Sequence, residues 1–341
     1  MYEPLDASKH QIRLLHLVPG EEDEKLWCTF SVVSLDDNPE YEAASYVWGS
    51  WEDPGCIEVG ADEEVVSITK NLQSVLRNVR SEEGPRTLWV DALCINQQDL
   101  AERGSQVGIM ARVYEQAKCV LAYLGDYFDG CERAIDIMHQ IADDPALHLL
   151  KQAPEEDVKV KEEVVERSVK ERHKPDCLLH PSNLNRAKRA EGSKGVGLED
   201  PELLEHLITF LDTPWMTRVW TAQEFTRAKA VTMIYGRTNI PAETAMKFCR
   251  HRSDHLRCCN LKPMTLAWEK FWTLANNWNH LAKIMIKDSS YSNMRLLELC
   301  RKRDATDQRD KSLQSTGYGP CAITSGLYGS DRRNVHTCSP C

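Results

Sequence analysis

Two short apolar runs, Leu88-Trp89-Val90 and residues 119–124 (CVLAYL), flank an amphipathic stretch. The first run stops at Asp91 and the second at Gly125. Between them Val107, Met110, Val113, Tyr114 and Ala117 recur at three- and four-residue steps, which predicts a helix with one buried face. Asp99 followed by Glu102 has capping-box spacing at the start of that helix. A buried strand, a helix and a second buried strand predict a parallel βαβ unit. Upstream, residues 43–49 (AASYVWG) predict another apolar strand. Leu72, Val75, Leu76 and Val79 then mark a helix over 70–80 with Thr69 as its cap. Residues 231–235 (VTMIY) predict a fourth buried strand, closed by Gly236. The parallel sheet expected from these runs holds strands at 44–48, 88–90, 120–124 and 231–235.

The remaining pattern surrounds this frame. Residues 11–18 and 26–35 alternate as an antiparallel pair, and 56–59 with 65–68 read as a small hairpin. Ala134, Ile137, Met138 and Ile141 mark a helix within 127–150, and the leucines of 201–211 mark another behind Pro201. Thr213-Pro214 opens a helix that carries Trp220 and Glu224 four apart, with Arg218 close to the same stripe. Residues 154–174 alternate Glu, Lys and Arg, as a solvated helix or a disordered segment does, and 127–199 as a whole reads as an insertion. The expected organisation is N-terminal strands over 1–40, a main domain over 41–250, a helical extension over 251–311 and a disordered tail over 312–341. The fold class is α/β, a parallel sheet flanked by helices.

Composition narrows the functional classes. Hydrophobic residues at 42% and charged residues at 28% suit a chain that buries a core. A net charge of −10 argues against a general nucleic-acid binder, which needs a basic face for phosphates. The first twenty residues lack the apolar core of a signal peptide, and no apolar stretch reaches the roughly 20 residues of a membrane span. The 13 cysteines, scattered through apolar segments, read as reduced and buried in a cytoplasmic protein. His251, His255 and Cys258 or Cys259 recur at helical spacing that could place them on one face to hold zinc, but without a CxxC pair or an HExxH motif no metal is assigned.

Candidate chemistry gathers where ligands sit in open parallel sheets, beyond the carboxyl ends of the strands. Asp91, Cys94, Asn96 and Gln97 lie just past one such end, and Trp48 and Gly49 past another. Asp91 with Asn96 is either a polar site or the cap of the following loop. Cys94 is either a nucleophile or a buried thiol. Glu224, near Trp215, Arg218 and Trp220, is either a desolvated carboxylate fit for acid–base work or a helix-surface ion pair with Arg218 or Arg227.

Three blocks carry a family resemblance. YEAASYVWG at 41–49, LWVDALCINQ with the ER, QV, M, VY and LG positions that follow it at 88–125, and PWMTRVWTAQE at 214–224 occur in order. Together they resemble the fungal heterokaryon-incompatibility (HET) domain. Ala44 stands where the family's first block usually has leucine, and RDATDQRDK at 303–311 resembles a further signature with Gln308 in place of proline. HET domains are similar to TIR domains, which implies a flavodoxin-like order of parallel strands. Some TIR domains cleave NAD with a glutamate from a W-x-x-E-type segment. Trp220 to Glu224 has that character with a spacing one residue longer. The resemblance implies a role in incompatibility and programmed cell death, with Glu224 catalytic. Trp48, Gly49, Asp91, Asn96, Trp215, Arg218 and Trp220 would then bind substrate, NAD being the substrate and no cofactor being required. The alternative it leaves open is a non-catalytic death-signalling module that associates with itself or with another incompatibility protein.

Overall fold

In the computed structural model, the described residues are 2–21, 23–142, 201–218, 221–259, 270 and 273–275, those at 222, 223, 226 and 251–259 by backbone alone. Among the described residues nine strands form one mixed sheet: β1 (Gln11–Leu17), β2 (Trp27–Ser34), β3 (Glu42–Ser45), β4 (Gly55–Val59), β5 (Glu64–Ile68), β6 (Arg86–Trp89), β7 (Cys119–Gly125), β8 (Val231–Tyr235) and β9 (Thr238–Pro241). Their order across the sheet is β5-β4-β2-β1-β6-β3-β7-β8-β9.

The four expected strands form the parallel heart, β6-β3-β7-β8. In chain order this is 2-1-3-4, the flavodoxin-type sequence over four strands. The wings depart from an all-parallel sheet. Antiparallel β9 occupies the place beyond β8, and β1 joins β6 antiparallel on the other side. The N-terminal strands therefore extend the same sheet, with β1 as one of its interior strands. The reason is apolar: Ile12, Leu14, Leu15 and Leu17 are buried and need cover on both faces.

Helices α1 (Lys70–Val79), α2 (Asp91–Cys94), α3 (Leu100–Gln116), α4 (Cys131–Ala142), α5 (Pro201–Leu211), α6 (Thr221–Arg227) and α7 (Ala242–Cys259) complete the described elements. Thr69 caps α1 by accepting from the Leu72 N–H. Asp99 caps α3 through the N–H groups of Ala101 and Glu102. Glu102, however, does not close a capping box. Its carboxylate accepts from Arg13 and from the Asn96 N–H, because a buried guanidinium competes for it better than an exposed backbone donor. Tyr114 of α3 packs edge-on against Trp89 of β6, with ring centroids 5.5 Å apart. The apolar face of α4 is buried and packs on α5 and α7, so the opening of the stretch read as an insertion belongs to the core.

Two local expectations change. β3 ends at Ser45, three residues short of Trp48, because the Tyr46 carbonyl turns away from the ladder to accept from Arg218. The single helix expected from Pro214 is two elements. Pro214–Thr217 is a 3-10 turn, Arg218 is extended at φ −70° and ψ 141°, and α6 begins afresh at Thr221. Arg218 and Glu224 therefore do not share a helical stripe. Trp220, most of 127–199, nearly all of the 251–311 extension, the 312–341 tail and the side chains of His251, His255, Cys258 and Cys259 lie outside what is described. Among the described residues no helix is long and apolar enough to cross a membrane.

Candidate functional site

The topological switch point of the parallel heart lies between the carboxyl ends of β3 and β7, and open sheets of this order bind ligands there. Ser45 forms the last rung to β7, opposite Ala122, at that point. Thr213 brings the 3-10 turn to the same edge. Its hydroxyl donates to the Leu124 carbonyl at 2.9 Å and accepts from the Trp215 N–H. Trp215 is fully buried, and its Nε1 donates to Ser45 Oγ at 2.7 Å. The Ser45 hydroxyl in turn donates to Glu224 Oε2. Thr221, at the start of α6, donates to the Arg218 carbonyl at 2.8 Å.

Glu224 is 3% exposed, which overturns the surface ion-pair alternative. Burial lifts its pKa from 4.5 to about 7, and the Asp91 charge adds to the lift. Arg218 and the Ser45 hydroxyl pull the other way. Asp91 opens α2 directly after β6, and its Oδ2 accepts from Trp48 Nε1 at 2.8 Å. The residue keeps some exposed surface, yet its carboxyl is enclosed enough that desolvation raises its pKa against the pull of Arg218 and Trp48. Half-buried Arg218 donates to the Tyr46 carbonyl, and its charge acts on both carboxyls. Two carboxyl groups, both pushed toward neutrality and sharing one guanidinium, make a proton-handling arrangement.

Trp48, Asp91, Trp215, Arg218 and Glu224 therefore lie in one cluster. Gly49 shapes the turn beside it at φ +76°, where a Cβ would come within 2.8 Å of the Asn71 side chain. Asn96 serves the loop instead, its Oδ1 accepting from the Gln98 N–H. Gln97 reaches back to the Asp91 carbonyl at 2.9 Å. Cys94 is fully buried, and desolvation pushes its thiol up to about 12, so it is not an activated nucleophile. A hollow lined by Ser81, Glu83, Gly84, Pro85 and Arg86 sits near the amino end of β6, at the edge opposite Asp91.

Sequence reasoning missed Ser45 and Tyr46. The one polar residue in the run AASYVWG was the available signal for Ser45. Tyr46 is 2% exposed, its hydroxyl lies against the Asp91 carboxyl, and burial together with the Asp91 charge holds its pKa well above 10. Tyr114 closes the cluster from α3, donating to the Ala44 carbonyl at 3.1 Å.

Heterokaryon incompatibility protein 6, OR allele, of Neurospora crassa is 29% identical over 236 residues, covering 64% of this chain. The matched region is 32% of that protein, so the chain spans about a third of its relative's length. No solved structure matches the chain. Residues 41–224 match the family described as Heterokaryon incompatibility protein (HET). That match takes in β3, β6, β7 and the carboxylate cluster through Glu224, and the chain belongs to the HET family.

Proposed function

We propose that this chain is an effector of heterokaryon incompatibility and programmed cell death, and that it acts by cleaving the nicotinamide–ribose bond of NAD with Glu224. The observation that carries the reading is a carboxylate at the switch point of a 2-1-3-4 parallel sheet, buried and with its pKa near 7. The resemblance to TIR domains supports the cleavage, and the incompatibility role named for the Neurospora relative supports the effector role.

In the proposed step the C1′–N bond breaks and its electron pair leaves with nicotinamide, which becomes neutral. The ionised Glu224 stabilises the positive charge left on the ribose, as preorganised charge does at a developing cation. Water adds to C1′ and gives its surplus proton to Glu224, which a group titrating near neutrality can take and release. Trp48 supplies the aromatic wall beside Asp91.

The enclosure of Glu224 favours a second reading. At 3% exposure the carboxylate also serves as an internal strut joining β3 to α6, in a module that kills by associating with itself or with another incompatibility protein. The test measures NAD turnover and cell killing side by side for wild type and Glu224→Gln. Loss of both in the variant supports the enzyme. Killing that persists without NAD consumption leaves the association reading alone.

A further inference from the structure

Ser45 is the only described side chain shown bonded to the Glu224 carboxylate, and Trp215 holds Ser45 in turn. We infer that Ser45 is the positioning residue for Glu224, its hydroxyl oriented by the Trp215 indole so that one carboxylate oxygen is fixed and the other faces the chemistry. The catalytic meaning of this rests on the function proposed above. The contact itself does not.

A serine hydroxyl has one proton and two lone pairs, an indole N–H can only donate, and an ionised carboxylate can only accept. Trp215 Nε1 occupies a lone pair of Ser45 Oγ at 2.7 Å. The single Ser45 proton is therefore directed to Glu224 Oε2. Both ends of this relay are rigid. Ser45, 1% exposed, is tied into the sheet by its pairing with Ala122. Trp215 is tied to β7 through Thr213 and packs edge-on against Phe225, the neighbour of Glu224, at 5.9 Å between ring centroids. With Oε2 committed to Ser45, Oε1 is the oxygen left to meet substrate or take up a proton. Burial, Arg218 and Asp91 set the remaining electrostatics of the carboxyl, and the Glu224 charge in turn acts on Tyr114.

The experiment is a carboxyl NMR titration of the full chain carrying 13C-labelled glutamate, with Glu224→Gln to assign the signal. Wild type, Ser45→Ala and Ser45→Thr are compared, and the pH profile of NAD cleavage is recorded on the same samples. Ser45→Ala is expected to move the Glu224 midpoint up by about one pH unit, the weight of one charge-assisted hydrogen bond. The acid limb of kcat should move with it while KM stays within about twofold, and Ser45→Thr should restore both. If Ser45→Ala does not fold, Ser45→Cys takes its place, since a thiol is a weak donor of similar shape and should raise the midpoint too. A midpoint unchanged in these variants overturns the inference. A midpoint that shifts in Ser45→Ala, while the wild-type chain cleaves no NAD, upholds the positioning by Ser45 and overturns the enzyme reading.

Discussion

Replacing Glu224 by glutamine should stabilise the protein at high pH and leave it nearly unchanged at low pH. The pKa of Glu224 rises from 4.5 to about 7 on burial. That difference, taken at about 1.4 kcal/mol per pH unit, makes the ionised carboxylate cost the fold about 3 kcal/mol. The sign follows from proton uptake. Below 4.5 the group is protonated in both folded and unfolded chains and carries no penalty. Between 4.5 and about 7 the unfolded chain ionises first, so stability falls as pH rises. Above about 7 both states are ionised and the loss is complete. Glutamine keeps an oxygen for the Ser45 hydroxyl and never ionises, and Asp91 remains as counter-charge to Arg218. Urea midpoints for wild type and Glu224→Gln between pH 4 and 9 should show a stability difference that grows by about 3 kcal/mol in favour of the variant. A difference that stays flat with pH, or a variant that is uniformly weaker by under about 1 kcal/mol as after loss of a surface pair, would refute the reasoning. Under the enzyme reading proposed above, the same substitution trades this gain in stability for lost NAD turnover.

Other outcomes follow from the same coordinates. Arg13→Met should cost about 3–5 kcal/mol in urea unfolding, because it strands Glu102, whose partner side chain is 1% exposed and its own 9%. Thr69→Ala removes the cap of α1 and should cost about 1 kcal/mol by the same measurement. Iodoacetamide applied to the native chain near pH 7.5 should modify exposed Cys56 and spare Cys28 and Cys94, whose thiols burial pushes up to about 12. Peptide mass spectrometry that finds Cys94 alkylated as fast as Cys56 would contradict its enclosure.

Where a signal is local, the chain carries it openly. Residues 231–235 are a strand with those bounds, and Thr69 and Asp99 cap the helices they precede. The parallel heart was legible because strands covered on both faces must be apolar throughout, and four such runs alternate with helical stripes. Which strands pair was not, since an antiparallel partner is chosen by the whole sheet. β1 lies between β2 and β6, whose pairing residues stand some seventy positions downstream in the second case, as Leu15 with Leu88. Helical spacing placed Arg218 beside Glu224, but tertiary contact won. With residue 218 extended, the guanidinium meets the Tyr46 carbonyl and acts on both the Asp91 and Glu224 carboxyls. The proton affinity of Glu224 is likewise a product of assembly. It depends on burial, on Asp91 and on a hydroxyl 179 residues away, none of which a run of neighbouring residues encodes. The chain alone determined the four strands of the parallel heart, the caps and the carboxylate at 224, but not β9, a four-residue antiparallel strand at the sheet edge. Only the folded sheet decided that this carboxylate would be taken out of water, because desolvation belongs to the surfaces that close around a group and not to the group itself.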